Sequence, residues 1–273
     1  MFSLLSELFS YSFLVRGLVV GSLVALCAAL LGVSLVLKRY SMIGDGLSHV
    51  GFGALSVAMA LNMAPLAVAV PVVVLAAFLL LRISQNSRLG GDSAIALIAS
   101  ASLAAGVIVT SLTSGLNADV YSYMFGSILA MSEGDVLLSL VLAAVVLILF
   151  IVFYNRIFAI TFDESFARAT GTQVSRYNML LALLTALTVV IGMRIMGTML
   201  ISGLIIFPAL TAMRLCRSFK SVVITAAVLS VSAFFLGMVA SYAFGTPAGA
   251  SIVAVNTAFF LIFFLIEKVK GSK

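Results

Sequence analysis

Long apolar stretches separated by short polar connections make up most of this chain. A helix that crosses a bilayer needs about 20 mostly apolar residues. Nine stretches approach that length, at residues 13–37, 43–61, 64–81, 94–112, 136–154, 178–192, 195–213, 221–242 and 251–266. The sixth and seventh are separated only by Met193 and Arg194. The pattern predicts an all-α, polytopic membrane bundle of eight or nine transmembrane helices, with residues 1–273 forming one domain.

The composition agrees with this prediction and excludes an ordinary soluble domain. The chain is 63% hydrophobic and 9% charged, with a mean hydropathy of +1.30, so its charges are too few to cover a water-exposed surface. The net charge of +6 comes from basic residues spread along the chain rather than from one patch. Membrane topology explains that distribution better than nucleic-acid binding does.

Basic residues follow alternate apolar stretches. The positive-inside rule therefore places these loops in the cytoplasm, the C-terminus inside and the N-terminus outside. The basic residues concerned are Lys38, Arg39, Arg82, Arg88, Arg156, Arg168, Arg176, Arg214, Arg217, Lys220, Lys268, Lys270 and Lys273. Residues 117–135 have too short an apolar part to span, which predicts a re-entrant or interfacial helix on the outer side.

The only histidine, His49, follows Asp45 by four residues. On a helix the two side chains share one face. Ionisable groups at membrane depth cost roughly 2.5 to 3.5 kcal/mol each, which makes the pair a candidate ion site. Carboxylate and imidazole together suit divalent ions such as Zn²⁺ and Mn²⁺. Two ligands are too few for a tetrahedral site, so we hypothesise a homodimer with the ion path on or near its two-fold axis.

Other roles for the pair stay open at this point. Asp45 can form a structural hydrogen bond with His49 or cap its helix, and His49 can carry protons, because imidazole titrates near neutral pH. Intramembrane hydrolysis is disfavoured, since Ser48 points about 100° away from His49 on a helix. The chain lacks a Gly-x-x-x-x-Gly-Lys-Ser/Thr loop, so ATP-driven work requires a second protein. Pro208 is predicted to kink the seventh stretch and is a candidate gating position.

The longest polar stretch is a loop at residues 156–177, which we call the polar loop. It predicts a short helix over residues 165–169, capped by Asp163 or Ser165 and ended by Gly171. Such a helix fits an ordinary connector lying on the lipid headgroups. It equally fits a docking element that buries Phe166 and pairs Arg168 with a soluble partner.

Five segments, in order over nearly the whole chain, resemble the permeases of metal ABC transporters that import zinc, manganese or iron. They include Lys38-Arg39-Tyr40-Ser41-Met42-Ile43-Gly44-Asp45-Gly46-Leu47-Ser48-His49, and lie at residues 38–49, 123–130, 162–168, 208–212 and 246–251. Each segment is short, but five in register make the resemblance specific.

The resemblance implies a type II ABC importer-like permease, a homodimer in the bacterial cytoplasmic membrane. Two cytoplasmic ATPase subunits and an extracellular metal-binding lipoprotein would complete it. It implies a metal path at Asp45 and His49. We expect zinc as the transported ion, slightly ahead of manganese and with iron as a further alternative, and no permanently bound cofactor. The resemblance assigns coupling to the ATPase to residues of the polar loop, namely Phe162, Asp163, Glu164, Ser165, Phe166, Ala167, Arg168 and Gly171.

Overall fold

The computed structural model describes residues 11–86, 91–113, 124–126, 132–198 and 200–271. Over these ranges the chain is helical and contains no strand. The helices are α1 (Ser12–Leu37), α2 (Ile43–Ala60), α3 (Pro65–Asn86), α4 (Gly91–Leu112), α5 (Glu133–Val152), α6 (Tyr154–Phe162), α7 (Glu164–Ala169), α8 (Val174–Met196), α9 (Ile201–Leu215), α10 (Phe219–Phe244) and α11 (Ala248–Gly271). The predicted all-α bundle is confirmed.

Seven of the described helices are long and apolar enough to cross a membrane, namely α1, α3, α4, α5, α8, α10 and α11. The two remaining predicted spans correspond to α2 and α9. Helix α9 has only 15 residues, and α2 has 18 residues that include Asp45 and His49. The estimate of eight or nine helices therefore counts two elements that are shorter or more polar than a typical span.

The predicted division at Met193 and Arg194 is wrong. Helix α8 continues through both residues and ends at Met196, next to Gly197 with a φ of 87°. Arg194 does not interrupt the helix, because its guanidinium pairs with the carboxylate of Asp135 in the first turn of α5. The helix ends before Gly197 because this residue adopts a positive φ, which glycine tolerates, and a Cβ there would lie 2.2 Å from the carbonyl oxygen of Met124.

Helix α8 occupies the centre of the bundle. It packs against α1, α2, α3 and α5, and it is the most buried of the seven long apolar helices. Helix α2 packs between α3 and α4. Gly53 allows α2 to approach α4 closely, since a Cβ at Gly53 would lie 2.8 Å from the carbonyl oxygen of Ser102. The helix that carries Asp45 and His49 is thus held on several sides.

The re-entrant helix predicted at residues 117–135 lies largely outside the described residues. In the described part, α5 begins at Glu133 with a capping box in which Ser132 and Asp135 exchange hydrogen bonds of 3.1 Å. This arrangement satisfies backbone donors that the first turn of α5 leaves free. Cys27 and Cys216 are both free thiols.

Candidate metal site and polar loop

Asp45 lies in the first turn of α2. The positive end of the helix dipole favours a carboxylate at this position. The hydroxyl of Ser48 donates a hydrogen bond of 2.7 Å to the carbonyl oxygen of Asp45, which fixes the local backbone. The side chain of Asp45 is 33% exposed, whereas that of His49 is 15% exposed. The turn therefore presents a carboxylate beside a nearly buried imidazole.

The carboxylate and the imidazole face each other without a hydrogen bond. The distance from Asp45 Oδ2 to His49 Nε2 is 3.7 Å, beyond the range of a hydrogen bond. Two ligand atoms that bind one ion tetrahedrally at about 2.1 Å each would lie about 3.4 Å apart. Among the described residues, no group pairs with the buried Nδ1 of His49. The geometry fits a shared ion better than the direct hydrogen bond considered from the sequence.

A cavity of about 440 Å³ opens beside the pair. Helix α4 forms its opposite wall, and the lining is mostly apolar apart from the pair itself. The other lining residues are Met42, Ile95, Ala96, Ala99, Ser100 and Leu103. Apolar walls exclude water, which strengthens the attraction between a carboxylate and a cation.

Ser202 is a residue of this site that the sequence did not indicate. Its hydroxyl donates a hydrogen bond of 3.2 Å to Oδ1 of Asp45, the oxygen that does not face His49. Ser202 lies in the first turn of α9, 157 positions from Asp45. No spacing rule connects the two residues, and only the packing of α9 against α2 brings them together.

The number of ligands remains small. In the described ranges, no three side chains of His, Cys, Asp or Glu come close enough to hold one metal ion. The described part of one chain thus brings Asp45 and His49 together and adds the hydroxyl of Ser202.

Pro208 lies farther along α9. The side chain is buried, and the helix continues across it from Ile201 to Leu215. A proline removes one backbone donor and leaves the carbonyl one turn earlier without its usual partner. A gating role for Pro208 stays a prediction.

The polar loop folds as predicted around a short helix, α7. Asp163 caps the N-terminus of this helix, because its Oδ1 accepts a hydrogen bond of 2.9 Å from the backbone N–H of Phe166. The helix ends at Ala169, and Gly171 follows with a φ of 82°. The predicted cap and terminating glycine are confirmed, and α7 begins one residue before the predicted start.

Helix α7 has one buried and one exposed side. Ala167 is fully buried against Ile160 and Val174. Phe166 is 66% exposed, Ser165 and Arg168 are also exposed, and Phe162 at the end of α6 is 61% exposed. Large exposed aromatic side chains beside charged groups are typical of a surface that contacts a partner or a membrane.

Glu164, at the start of α7, is held from two sides. Its carboxylate accepts hydrogen bonds from the ammonium of Lys38 and from Nδ2 of Asn178, the latter at 3.1 Å. Burial by itself raises the pKa of Glu164, but these hydrogen bonds and the charges of Lys38 and Arg168 outweigh burial and lower it. The sequence indicated Lys38 as a marker of topology and as part of the segment 38–49, but not as a partner of Glu164.

The fold and the site define a multi-pass helical membrane protein in which a carboxylate and an imidazole face an apolar cavity. The chain belongs to the ABC 3 transport family, which it matches over residues 10–267. The resemblance found in the five sequence segments is thereby confirmed.

Two relatives and one solved structure show how far the similarity extends. The manganese transport system membrane protein MntC of Halalkalibacterium halodurans is 32% identical, covering 96% of this chain and 90% of that protein. The high-affinity zinc uptake system membrane protein ZnuB of Haemophilus influenzae is 28% identical, covering 92% of this chain and 97% of that protein. The structure of PsaBC from Streptococcus pneumoniae in complex with Fab superposes with a TM-score of 0.86 at 31% identity, covering 96% of this chain and 94% of that chain.

Proposed function

We propose that this chain is the membrane permease subunit of an ATP-driven importer of divalent metal ions. The observation that carries the proposal is the pair of Asp45 and His49, separated by 3.7 Å beside a cavity of about 440 Å³. Ionisable groups inside a membrane protein usually line an ion path. Membership of the ABC 3 transport family supports the same function.

The proposed cargo is zinc, with manganese as the second candidate. Imidazole and carboxylate ligands suit both ions. Manganese is favoured by the relative named for manganese transport, which is 32% identical, and zinc by the relative named for zinc uptake, which is 28% identical. Uptake of one ion in competition with the other, at equal free concentrations, separates the two cargoes.

We propose that the permease acts as a homodimer. Two copies related by a two-fold axis would supply two carboxylates and two imidazoles, the number that a tetrahedral site needs.

The energy for import would come from a cytoplasmic ATPase subunit, since the sequence contains no phosphate-binding loop of its own. Helix α7 is the proposed contact, with Phe166 inserted into the partner and Arg168 paired with it. An extracellular metal-binding lipoprotein would deliver the ion at the outer end of the bundle. The complex would reside in the bacterial cytoplasmic membrane, where basic loops face the cytoplasm.

The geometry suggests how the ion is passed on. A metal ion released at the outer side would bind between Oδ2 of Asp45 and Nε2 of His49, while Ser202 holds the other carboxylate oxygen in place. Conduction requires binding strong enough for entry and weak enough for exit. A site with few ligands meets that requirement, and closure of the ATPase partner against α7 would drive release.

Reconstitution tests this proposal. The permease, its ATPase subunit and its binding protein are placed in proteoliposomes, and uptake of Zn²⁺ and Mn²⁺ is measured with and without ATP. We expect ATP-dependent uptake that Asp45→Asn and His49→Gln abolish. Glu267→Gln is the matched control, because Glu267 forms a half-exposed ion pair with Arg214 away from the cavity.

Two outcomes would contradict the proposal. Uptake by the permease alone, driven by a proton gradient without ATPase, would identify a secondary transporter in which His49 carries protons. Uptake that is unchanged by both substitutions would identify a membrane scaffold whose Asp45 and His49 have no role in transport.

A further inference from the structure

A buried lysine joins several segments at the C-terminal end of α1. The ammonium of Lys38 donates a hydrogen bond of 2.9 Å to the carbonyl oxygen of Ile160 in α6 and a second to the carboxylate of Glu164 in α7. The same carboxylate oxygen accepts from Asn178 in α8. Lys38 therefore fastens the polar loop to α1, and Asn178 fastens it to the central helix.

The burial of Lys38 makes this connection hard to break. Its side chain is only 5% exposed. An ammonium group that loses its partners at such a position is left as an uncompensated buried charge, which costs far more than breaking a surface pair. If α7 is displaced, the lowest-energy response is for Lys38, and the chain that carries it, to follow.

The chain between Lys38 and α2 is short and held by backbone hydrogen bonds. Helix α2 begins at Ile43, whose N–H donates to the carbonyl of Tyr40 at 3.0 Å, and the N–H of Tyr40 donates to the carbonyl of Leu35 at 2.8 Å. Arg39 adopts a φ of 60°, a left-handed conformation that is uncommon outside glycine. Because this turn is short and hydrogen-bonded, a displacement of Lys38 is transmitted through it to the start of α2.

We infer that Lys38 is a positioning residue that transmits movement of α7 to the end of α2, where Asp45 and His49 lie. The inference rests on the proposed function, because it takes α7 as the contact of the ATPase partner. In this arrangement Glu164 is the attachment point on α7, and the tight turn from Arg39 to Met42 is the link to the metal pair.

The test is the ratio of metal ions imported to ATP molecules hydrolysed by the reconstituted complex. We expect Lys38→Met to keep ATP hydrolysis, since α7 still docks, and to lower the ratio by at least about fivefold, the lower end of typical coupling effects. Lys38→Arg, which keeps the charge and the donors, is expected to restore most of the ratio. Glu267→Gln, which removes a more exposed ion pair, is expected to leave it unchanged.

A purely structural role gives a different result. It lowers the amount of assembled complex, import and hydrolysis together, and leaves the ratio of the surviving complexes unchanged. An unchanged ratio in Lys38→Met would overturn the inference. If Lys38→Met does not assemble, the ratio is measured in Glu164→Gln, because glutamine has nearly the same volume as glutamate. An unchanged ratio in Glu164→Gln would also overturn the inference.

A different result would show that the proposed function itself is wrong. If the wild-type complex imports neither Zn²⁺ nor Mn²⁺ with ATP, the proposed function is wrong whatever the variants do. If the wild-type complex imports either ion and the Lys38→Met ratio equals that of the wild type, only the role of Lys38 is wrong.

Discussion

The hydrogen bond from Ser202 to Asp45 gives the most direct test of the candidate metal site. Ser202→Ala removes the hydroxyl that donates to Oδ1 at 3.2 Å and leaves both predicted ligands in place. Groups that orient a metal ligand usually affect affinity without being ligands themselves. We therefore expect the substitution to weaken metal binding while import continues.

The expected magnitude follows from the geometry. A hydrogen bond to a charged group contributes about 1.5 to 3 kcal/mol. The Ser202 bond is long, and the carboxylate of Asp45 is 33% exposed, so the lower end of that range applies. A loss of about 1.5 kcal/mol corresponds to about a tenfold lower affinity.

The assay is equilibrium binding of the metal ion to the purified permease, without the binding protein, as a function of free metal concentration. The half-saturating concentration is expected to rise about tenfold, with the same number of ions bound at saturation. Ser230→Ala is the control, because it removes another interhelical serine bond, 2.9 Å to the carbonyl of Ala25, at a distant position. An unchanged half-saturating concentration in Ser202→Ala, or an equal rise in the control, would refute the role assigned to Ser202.

Three further predictions concern packing, charge and docking. Gly53→Ala places a Cβ within 2.8 Å of the carbonyl oxygen of Ser102. It should destabilise the detergent-solubilised protein by about 1–3 kcal/mol, which is measured as a lower melting temperature. Gly134→Ala is the control, because the nearest atom to its Cβ lies at 3.8 Å, and it should leave the melting temperature unchanged. The folded-state pKa of Glu164 is lowered, so its ionised form stabilises the fold at pH values above the ordinary glutamate pKa of about 4.3. This stabilisation is lost as the pH falls through the lower folded-state pKa. Glu164→Gln should therefore flatten the dependence of the melting temperature on pH in that acid range. Phe166 is 66% exposed, so Phe166→Ala should leave the melting temperature unchanged. It should weaken binding of the ATPase by about 2 kcal/mol, as for a typical interface hot spot, which is measured as a smaller amount of co-purified ATPase. Retention of the ATPase at wild-type levels would contradict α7 as the contact.

The sequence predicts the helices well where local chemistry decides the structure. Asp163 and Gly171 bound α7 because a carboxylate caps an N-terminus and a glycine tolerates a positive φ, and neither effect depends on distant residues. Apolar length likewise locates the long spans. Asp45 and His49 lie on one face because their spacing matches one helical turn.

The sequence does not predict features that depend on packing between distant segments. Helix α8 extends beyond the predicted end at residue 192 to Met196, because Asp135 of α5 neutralises Arg194. Ser202 and Lys38 carry no local signal for their contacts, since each meets its partner only after several helices have packed. Sequence patterns indicate the proposed ligands Asp45 and His49, and the fold adds the contacts of Ser202 with Asp45 and of Lys38 with Glu164.

The helix that carries Asp45 and His49 depends strongly on its neighbours. Asp45 and His49 lower the apolarity of α2, so that it falls outside the seven helices that could cross a membrane by composition alone. Helices α3, α4 and α8 pack around α2 and bury side chains that its composition alone would not keep in a membrane. A helix of this kind is stabilised mainly by its packing, so its N-terminal turn can shift when a neighbouring attachment moves. Lys38 lies at such an attachment, five residues before α2 begins. Under the role inferred for Lys38, the polar loop would act on a site that it does not touch.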